Sequence, residues 1–188
     1  MARWQEGAAG RLQGAALRLY AERGYEQTTV AEIASEVGLT ARTFFRYFAD
    51  KREVLFAGSA QLRDGMAAAV AGAPATAGPM AAVSAGLEAS LAFLGGDHAH
   101  SSARHSVITA NAELRERELI KMASLAEAMA EALCRRGVPA ADASLAAEAG
   151  TVVFRVAFEQ WVTGPPDASL PDLMHATLAR LTEVTAPR

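Results

Sequence analysis

The sequence has little of what marks disulfide scaffolds, metal centres or sheet proteins. One cysteine, Cys134, occurs among 188 residues, which excludes an intrachain disulfide framework and a CxxC-type zinc site. A reducing, cytoplasmic compartment is the matching expectation. Aromatic residues make up only 6%, and β-branched residues are thin as well, so strands lack their usual material. Long runs of large apolar side chains are missing too. The stretch without charge, residues 65–87, holds Pro74, Pro79 and four glycines among small alanines. It reads as a helix end, a loop over 73–79 and a new helix start, with no membrane partner. Trp4-Gln5-Glu6 interrupts the N-terminus where a secretory leader would carry its apolar core. No Ser-His-Asp order, glycine-rich phosphate loop or carboxylate pair stands out, so no catalytic residue, cofactor or enzyme activity is expected.

What is present is apolar and helical. Hydrophobic residues reach 51% and charged residues 21%, enough for a real core. Much of the apolar share is alanine, the best helix former, so the fold class is all-α. The net charge of −3 is unevenly spread. Residues 1–56 carry eight Lys/Arg against seven Asp/Glu, net +1, and residues 57–188 carry ten against fourteen, net −4. A basic surface must therefore be local.

Helical periodicity runs through the chain. Leu12, Ala15/Ala16 and Leu19/Tyr20 form a stripe ended by Gly24, although Gly7, Gly10 and Gly14 weaken the start of that helix. Thr29-Val30-Ala31-Glu32 is a capping box opening a second helix that stops at Gly38. Thr40 caps a third, over 41–48. Asp50-Lys51-Arg52-Glu53 is a second capping box, predicted to open one long helix through Val54, Leu55 and Phe56 to Leu62 and Met66. Further helices are predicted over 79–94, 101–112, 113–136, 142–162 and 170–184, broken by Gly95-Gly96-Asp97, by Gly137-Val138-Pro139 and by Gly164-Pro165-Pro166.

Residues 28–51 carry the functional signal. Two short helices joined by a Gly38-Leu39 turn and braced by a first helix make a helix-turn-helix, whose second helix enters the DNA major groove. Such a helix needs polar groups on its outer face and apolar groups on its inner one. Thr40, Arg42, Thr43, Arg46 and Tyr47 supply the first, Phe44 and Phe48 the second. The run from Ala21 to Leu55, with Thr29-x-x-x-Ile33-Ala34-x-x-x-Gly38-Leu39-Thr40 and the aromatic segment Arg42-Thr-Phe-Phe-Arg-Tyr-Phe48, resembles the TetR family of transcriptional regulators. Asn111-Ala-Glu-Leu-Arg-Glu-Arg117 resembles one branch of that family more loosely.

The resemblance implies an N-terminal DNA-binding domain over 1–51 and a ligand-binding and dimerisation domain over 52–188. It implies phosphate contacts at Thr28, Thr29, Thr40, Tyr47 and Lys51, and base contacts at Arg42 and Thr43. Phe45 stands where the family usually has a tyrosine that touches the DNA backbone, a place Arg46 can serve. The implied activity is repression through a palindromic operator, bound as a homodimer and released by a small molecule. The competing reading is a helical binder of hydrophobic ligands, or an enzyme-like protein, without specific DNA binding.

Two more features bear on that reading. The helix at 142–162 is apolar on two faces. Phe154, Phe158 and Trp161 lie on one, Leu145, Val152 and Val156 on the other, so one side is expected to pack on a second copy. Leu173, Met174, Leu178 and Leu181 of the last helix are assigned to the same dimer interface. A pocket for an apolar effector is expected among Met66, Leu91, Phe93, His105, Ile108, Met122, Phe154, Phe158 and Trp161. His98, His100 and His105 are too poorly spaced to hold a metal together, and no metal is expected.

Overall fold

The computed structural model describes residues 7–94 and 97–186. Among these the chain is all helical: α1 (Ala8–Arg23), α2 (Val30–Glu36), α3 (Ala41–Tyr47), a 3₁₀ turn (Glu53–Phe56), α4 (Ser59–Gly72), α5 (Pro79–Leu94), α6 (His98–Ala110), α7 (Ala112–Arg135), α8 (Ala140–Thr163) and α9 (Leu170–Thr185). The predicted break at Gly95-Gly96 and the reading of Trp4-Gln5-Glu6 fall outside the described residues. The chain divides into two compact units. One comprises Met1–Ser59 with His100–Leu119, the other Ala60–Ala99 with Ile120–Arg188. The sequence predicts a single cut, at residue 51. The division observed instead extends the first unit to Ser59 and adds a segment from the middle of the chain.

The first unit is built by local capping around an aromatic core. α1 buries Leu12, Ala16, Leu19 and Tyr20. It ends at Gly24, whose φ of 90° lies in the region that favours glycine. The Thr29 hydroxyl accepts the Glu32 N–H at 3.2 Å, and the Glu32 carboxylate accepts the Thr29 N–H at 2.8 Å. That is the predicted capping box. At the other end of α2, Gly38 (φ 70°) lets its own N–H reach Ser35 and the Leu39 N–H reach Ala34. Thr40 then caps α3 by accepting from the Thr43 N–H at 3.2 Å. Phe44 is fully buried, and Phe48 packs beside it at 5.1 Å between ring centroids.

The long helix expected from residue 51 to Met66 does not form. Asp50 does accept N–H bonds from Arg52 and Glu53, at 2.8 and 3.1 Å. These bonds open only the 3₁₀ turn. Val54, Leu55 and Phe56 are all buried in the core of the first unit. At three residues per turn they project in directions about 120° apart, so that core meets the turn on every side. Gly58 (φ 90°) resets the chain for α4.

The second unit packs α4, α5, α8, α9 and most of α7 around small and flexible side chains. Its core includes Met66, Met129 and Met174 with Ala82, Ala132, Ala143, Ala147 and Ala157. α5 and α8 approach closely because Gly150 has no Cβ. One built there would sit 2.2 Å from Val83 Cγ1. Gly86 plays the same part against Val70 and the Met66 carbonyl. Arg136, just past the end of α7, reaches across to the loop after α4. It donates to the carbonyls of Ala73 at 2.6 Å and Pro74 at 2.7 Å. Ser169 caps α9 through the Asp172 N–H, and the Trp161 indole ties the α8–α9 loop by donating to Ala168 at 3.1 Å. No described helix is long and apolar enough to cross a membrane.

Candidate nucleic-acid interface and effector domain

Helix α3 presents a polar outer face held from below by Phe44 and Phe48. Arg42, Phe45, Arg46 and Tyr47 are exposed and Thr43 half-exposed. Arg42, Thr43, Phe45 and Arg46 line one shallow concavity of about 470 Å³. The helix carries no acidic residue. Three other arginines of the same module are paired: Arg18 with Glu22 and Glu36, Arg23 with Glu32, and Arg52 with Asp50. Arg46 instead meets Tyr47, bonding its hydroxyl at 3.1 Å and lying 5.1 Å from the ring centre. Among the described residues neither Arg42 nor Arg46 pairs with a carboxylate. An acid-free face with two arginines free of carboxylate is what a phosphate-lined groove attracts.

Two of the predicted contact residues are placed differently. Thr28 is 2% exposed. Its hydroxyl donates to the Gly24 carbonyl at 2.9 Å, so it closes the α1–α2 connector and is withdrawn from any phosphate. Lys51 is committed inward as well. Its ammonium donates to the Tyr25 carbonyl at 3.0 Å and the Thr28 carbonyl at 3.4 Å, and it sits 4.1 Å above the centre of the Tyr25 ring. It therefore braces the connector. Thr29 and Thr40 remain exposed while serving as caps, so Thr40, Arg42, Thr43, Arg46 and Tyr47 form the face that the sequence grouped together.

A network missed in the sequence holds this module to α6 and the start of α7. The Tyr25 hydroxyl donates to Glu113 at 3.4 Å, Arg117 pairs with Glu53, and Leu114 is fully buried in the aromatic core. Arg104 donates to the Leu55 carbonyl at 2.7 Å, lies over the Phe56 ring and faces Glu118 at 3.6 Å. Burial lowers the Arg104 pKa from its ordinary value, and the Glu118 carboxylate opposes that shift. The signal was the segment Asn111–Arg117. Glu113, Leu114 and Arg117 of that segment all dock on residues of the first sixty, and Asn111 closes α6 by donating to Val107 at 2.6 Å.

Six of the nine expected pocket residues gather in the second core, and Phe93, His105 and Ile108 do not. Met66, Phe154 and Trp161 are buried in the second core, with Leu91, Met122 and Phe158 packed against it. Phe93 is 49% exposed and lies over Gly65. Ile108 is buried in the core of the first unit, and His105 belongs to that unit too. The reason is that α6 faces the helix-turn-helix through Val107 and Ile108. A groove of about 540 Å³ in the second unit is lined by Ile120, Ala126, Glu127, Ala130, Ser144 and Glu148 among others, none of them predicted. Of the dimer candidates, Leu145 and Val152 are 72% and 43% exposed and Val156 is half-buried. Met174, by contrast, is 2% exposed inside its own core, which removes it from any interface. Leu173, Leu178 and Leu181 pack partly against the same core.

Comparison with known proteins decides the family. The family model "Bacterial regulatory proteins, tetR family" matches residues 14–57, and that of the "MftR C-terminal domain" matches residues 77–186, more than half of the chain. The chain belongs to the TetR family. A curated relative is the HTH-type transcriptional regulator TcmR of Streptomyces glaucescens, 41% identical over 76 residues. That match covers 40% of this chain and spans about a third (34%) of the relative's length. Two solved TetR-like folds resemble the whole chain. FadR of Bacillus subtilis, in complex with stearoyl-CoA, is 19% identical with a TM-score of 0.64 and covers 95% of this chain and 98% of its own. FadR of Thermus thermophilus, in complex with lauroyl-CoA, is 23% identical with a TM-score of 0.58 and covers 96% of each. At these identities the likeness establishes the TetR fold.

Proposed function

We propose that this TetR-family chain is a ligand-responsive repressor that binds a palindromic operator as a homodimer and releases it on taking up an apolar small molecule. The observation that carries the reading is the acid-free face of α3, where Arg42 and Arg46 stand without carboxylates while neighbouring arginines are paired. Arginine there matches the O6 and N7 acceptors of guanine. Support for the dimer is the outward stripe of α8, Leu145, Val152 and Val156, opposite the side that fills the core. A two-fold pair would set two recognition helices about one DNA turn apart. Support for an apolar effector is the second core itself. Its buried polar side chains, Ser90 and Thr151, are each bonded within their own helix, to Leu87 and Ala147. The acyl-CoA complexes of the two FadR proteins agree in kind.

An effector can shift the balance only by binding one state better than the other. The chain offers a route for that bias, because residues 100–119 of the first unit continue on both sides into the second. The test is a mobility shift of the full chain on DNA from upstream of its own gene, across a salt series, with and without stearoyl-CoA. A specific complex that weakens with salt is expected, and its absence overturns the reading. Arg42→Ala should cost about 1–3 kcal/mol and relax preference at one base position. A loss shared equally by all sequences would make Arg42 a phosphate contact. Val152→Arg should yield monomers in light scattering, and a persisting dimer would move the interface elsewhere.

A further inference from the structure

Phe45 is the member of the α3 face that charge does not explain. Its side chain is 56% exposed on a helix whose other aromatics are used: Phe44 and Phe48 fill the core, and Tyr47 holds Arg46. The ring is not loose. It stands edge-on against the buried Phe44 ring, at 5.6 Å between centroids and an interplanar angle of 82°. It shares its concavity with Arg42, Thr43 and Arg46. Arg46 is turned to Tyr47, so the cation three residues before Phe45, on the same side of the helix, is Arg42.

We propose that Phe45 is a specificity-determining residue that reads thymine through its C5-methyl group. Chemistry selects that partner. A phenyl ring has no donor for phosphate, and the apolar group on base edges in the major groove is the thymine methyl. A second copy of this chain is a poor occupant, because its Arg42 and Arg46 would face their own counterparts. The register follows from helix geometry. Three residues advance about 4.5 Å along α3, and base pairs are about 3.4 Å apart. The thymine read by Phe45 therefore lies within two base pairs of the base read by Arg42.

This inference rests on the operator reading above, and the experiment separates the two. The operator is selected from a pool of random duplexes with the full chain. Each thymine is then replaced by deoxyuridine, which removes only the methyl. The wild type should bind about fourfold more weakly at one thymine per half-site, the worth of one buried methyl. The loss should be about fifteenfold when both half-sites are changed. Phe45→Ala should bind the thymine and deoxyuridine operators alike, and Phe45→Leu should keep part of the preference. The affected thymine should lie within two base pairs of the position whose preference Arg42→Ala relaxes. Indifference of the wild type to every deoxyuridine, or a full methyl effect in Phe45→Ala, overturns the role of Phe45 and leaves operator binding standing. Recovery of no specific operator overturns both.

Discussion

The two units of this chain are stabilised by different chemistry. The first has an aromatic core of Tyr20, Tyr25, Phe44, Phe48 and Phe56, and polar bonds fix its connections. The second adds many alanines and methionines to its aliphatic side chains and to Phe154 and Trp161, with long helices crossing where a side chain is missing. Under the proposed function, a surface that matches base edges gains from pre-set geometry, because ordering it only on binding would cost affinity. An interior proposed to admit a ligand gains from methionine, which repacks at low cost. The difference also locates sensitivity. The first unit should fail when a polar partner is removed, and the second when volume is added.

The largest effect should come from Arg104→Ala. It strips a charged donor from the Leu55 carbonyl and leaves Glu118 without its partner, which should cost roughly 1.5–3 kcal/mol. Denaturant unfolding of the full chain should show that loss together with weaker DNA binding. Unchanged stability would show that the Arg104 network does not hold the first unit.

A matched pair of glycine substitutions sharpens the contrast. Gly150→Ala would drive a Cβ into the buried and stiff Val83, destabilising by about 1–3 kcal/mol. Gly14→Ala places its methyl on an open face of α1 and should stabilise by about 0.5–1 kcal/mol. Thermal melts of the two variants should move in opposite directions. Shifts of the same sign would refute the close-packed crossing.

The smallest effect at neutral pH appears only in alkali. All three tyrosines of the chain, Tyr20, Tyr25 and Tyr47, lie in the first unit. Burial is the leading cause that raises the Tyr20 and Tyr25 pKa values above the ordinary 10.0. A folded pKa raised above the unfolded one means that their contribution is complete below about pH 10 and is lost as pH climbs beyond it. Tyrosinate absorbance from these two residues should therefore rise together with helix loss in the first unit. Ionisation without unfolding would contradict their burial.

Much of the first unit was legible because its signals are local. Thr29 with Glu32, Gly38 and Thr40 each act within four residues, so spacing alone located α2, the turn and α3. Both faces of α3 and both faces of α8 followed from helical periodicity. The second unit was legible only as helices. Its pocket residues were chosen by type, and type does not say which helix a side chain meets. His105 and Ile108 went to the wrong unit for that reason.

By itself, then, the sequence determined helix content, most helix ends and the polar outer face of α3, since capping, glycine geometry and periodicity act over a few residues. Tertiary structure decided what depends on distant partners. Lys51 turns inward to Tyr25, 26 residues away, Glu53 pairs with Arg117 across 64, and Tyr25 bonds Glu113 across 88. The 3₁₀ turn at Val54–Phe56 belongs with these. Three successive apolar side chains say nothing of their conformation until a core surrounds them on every side.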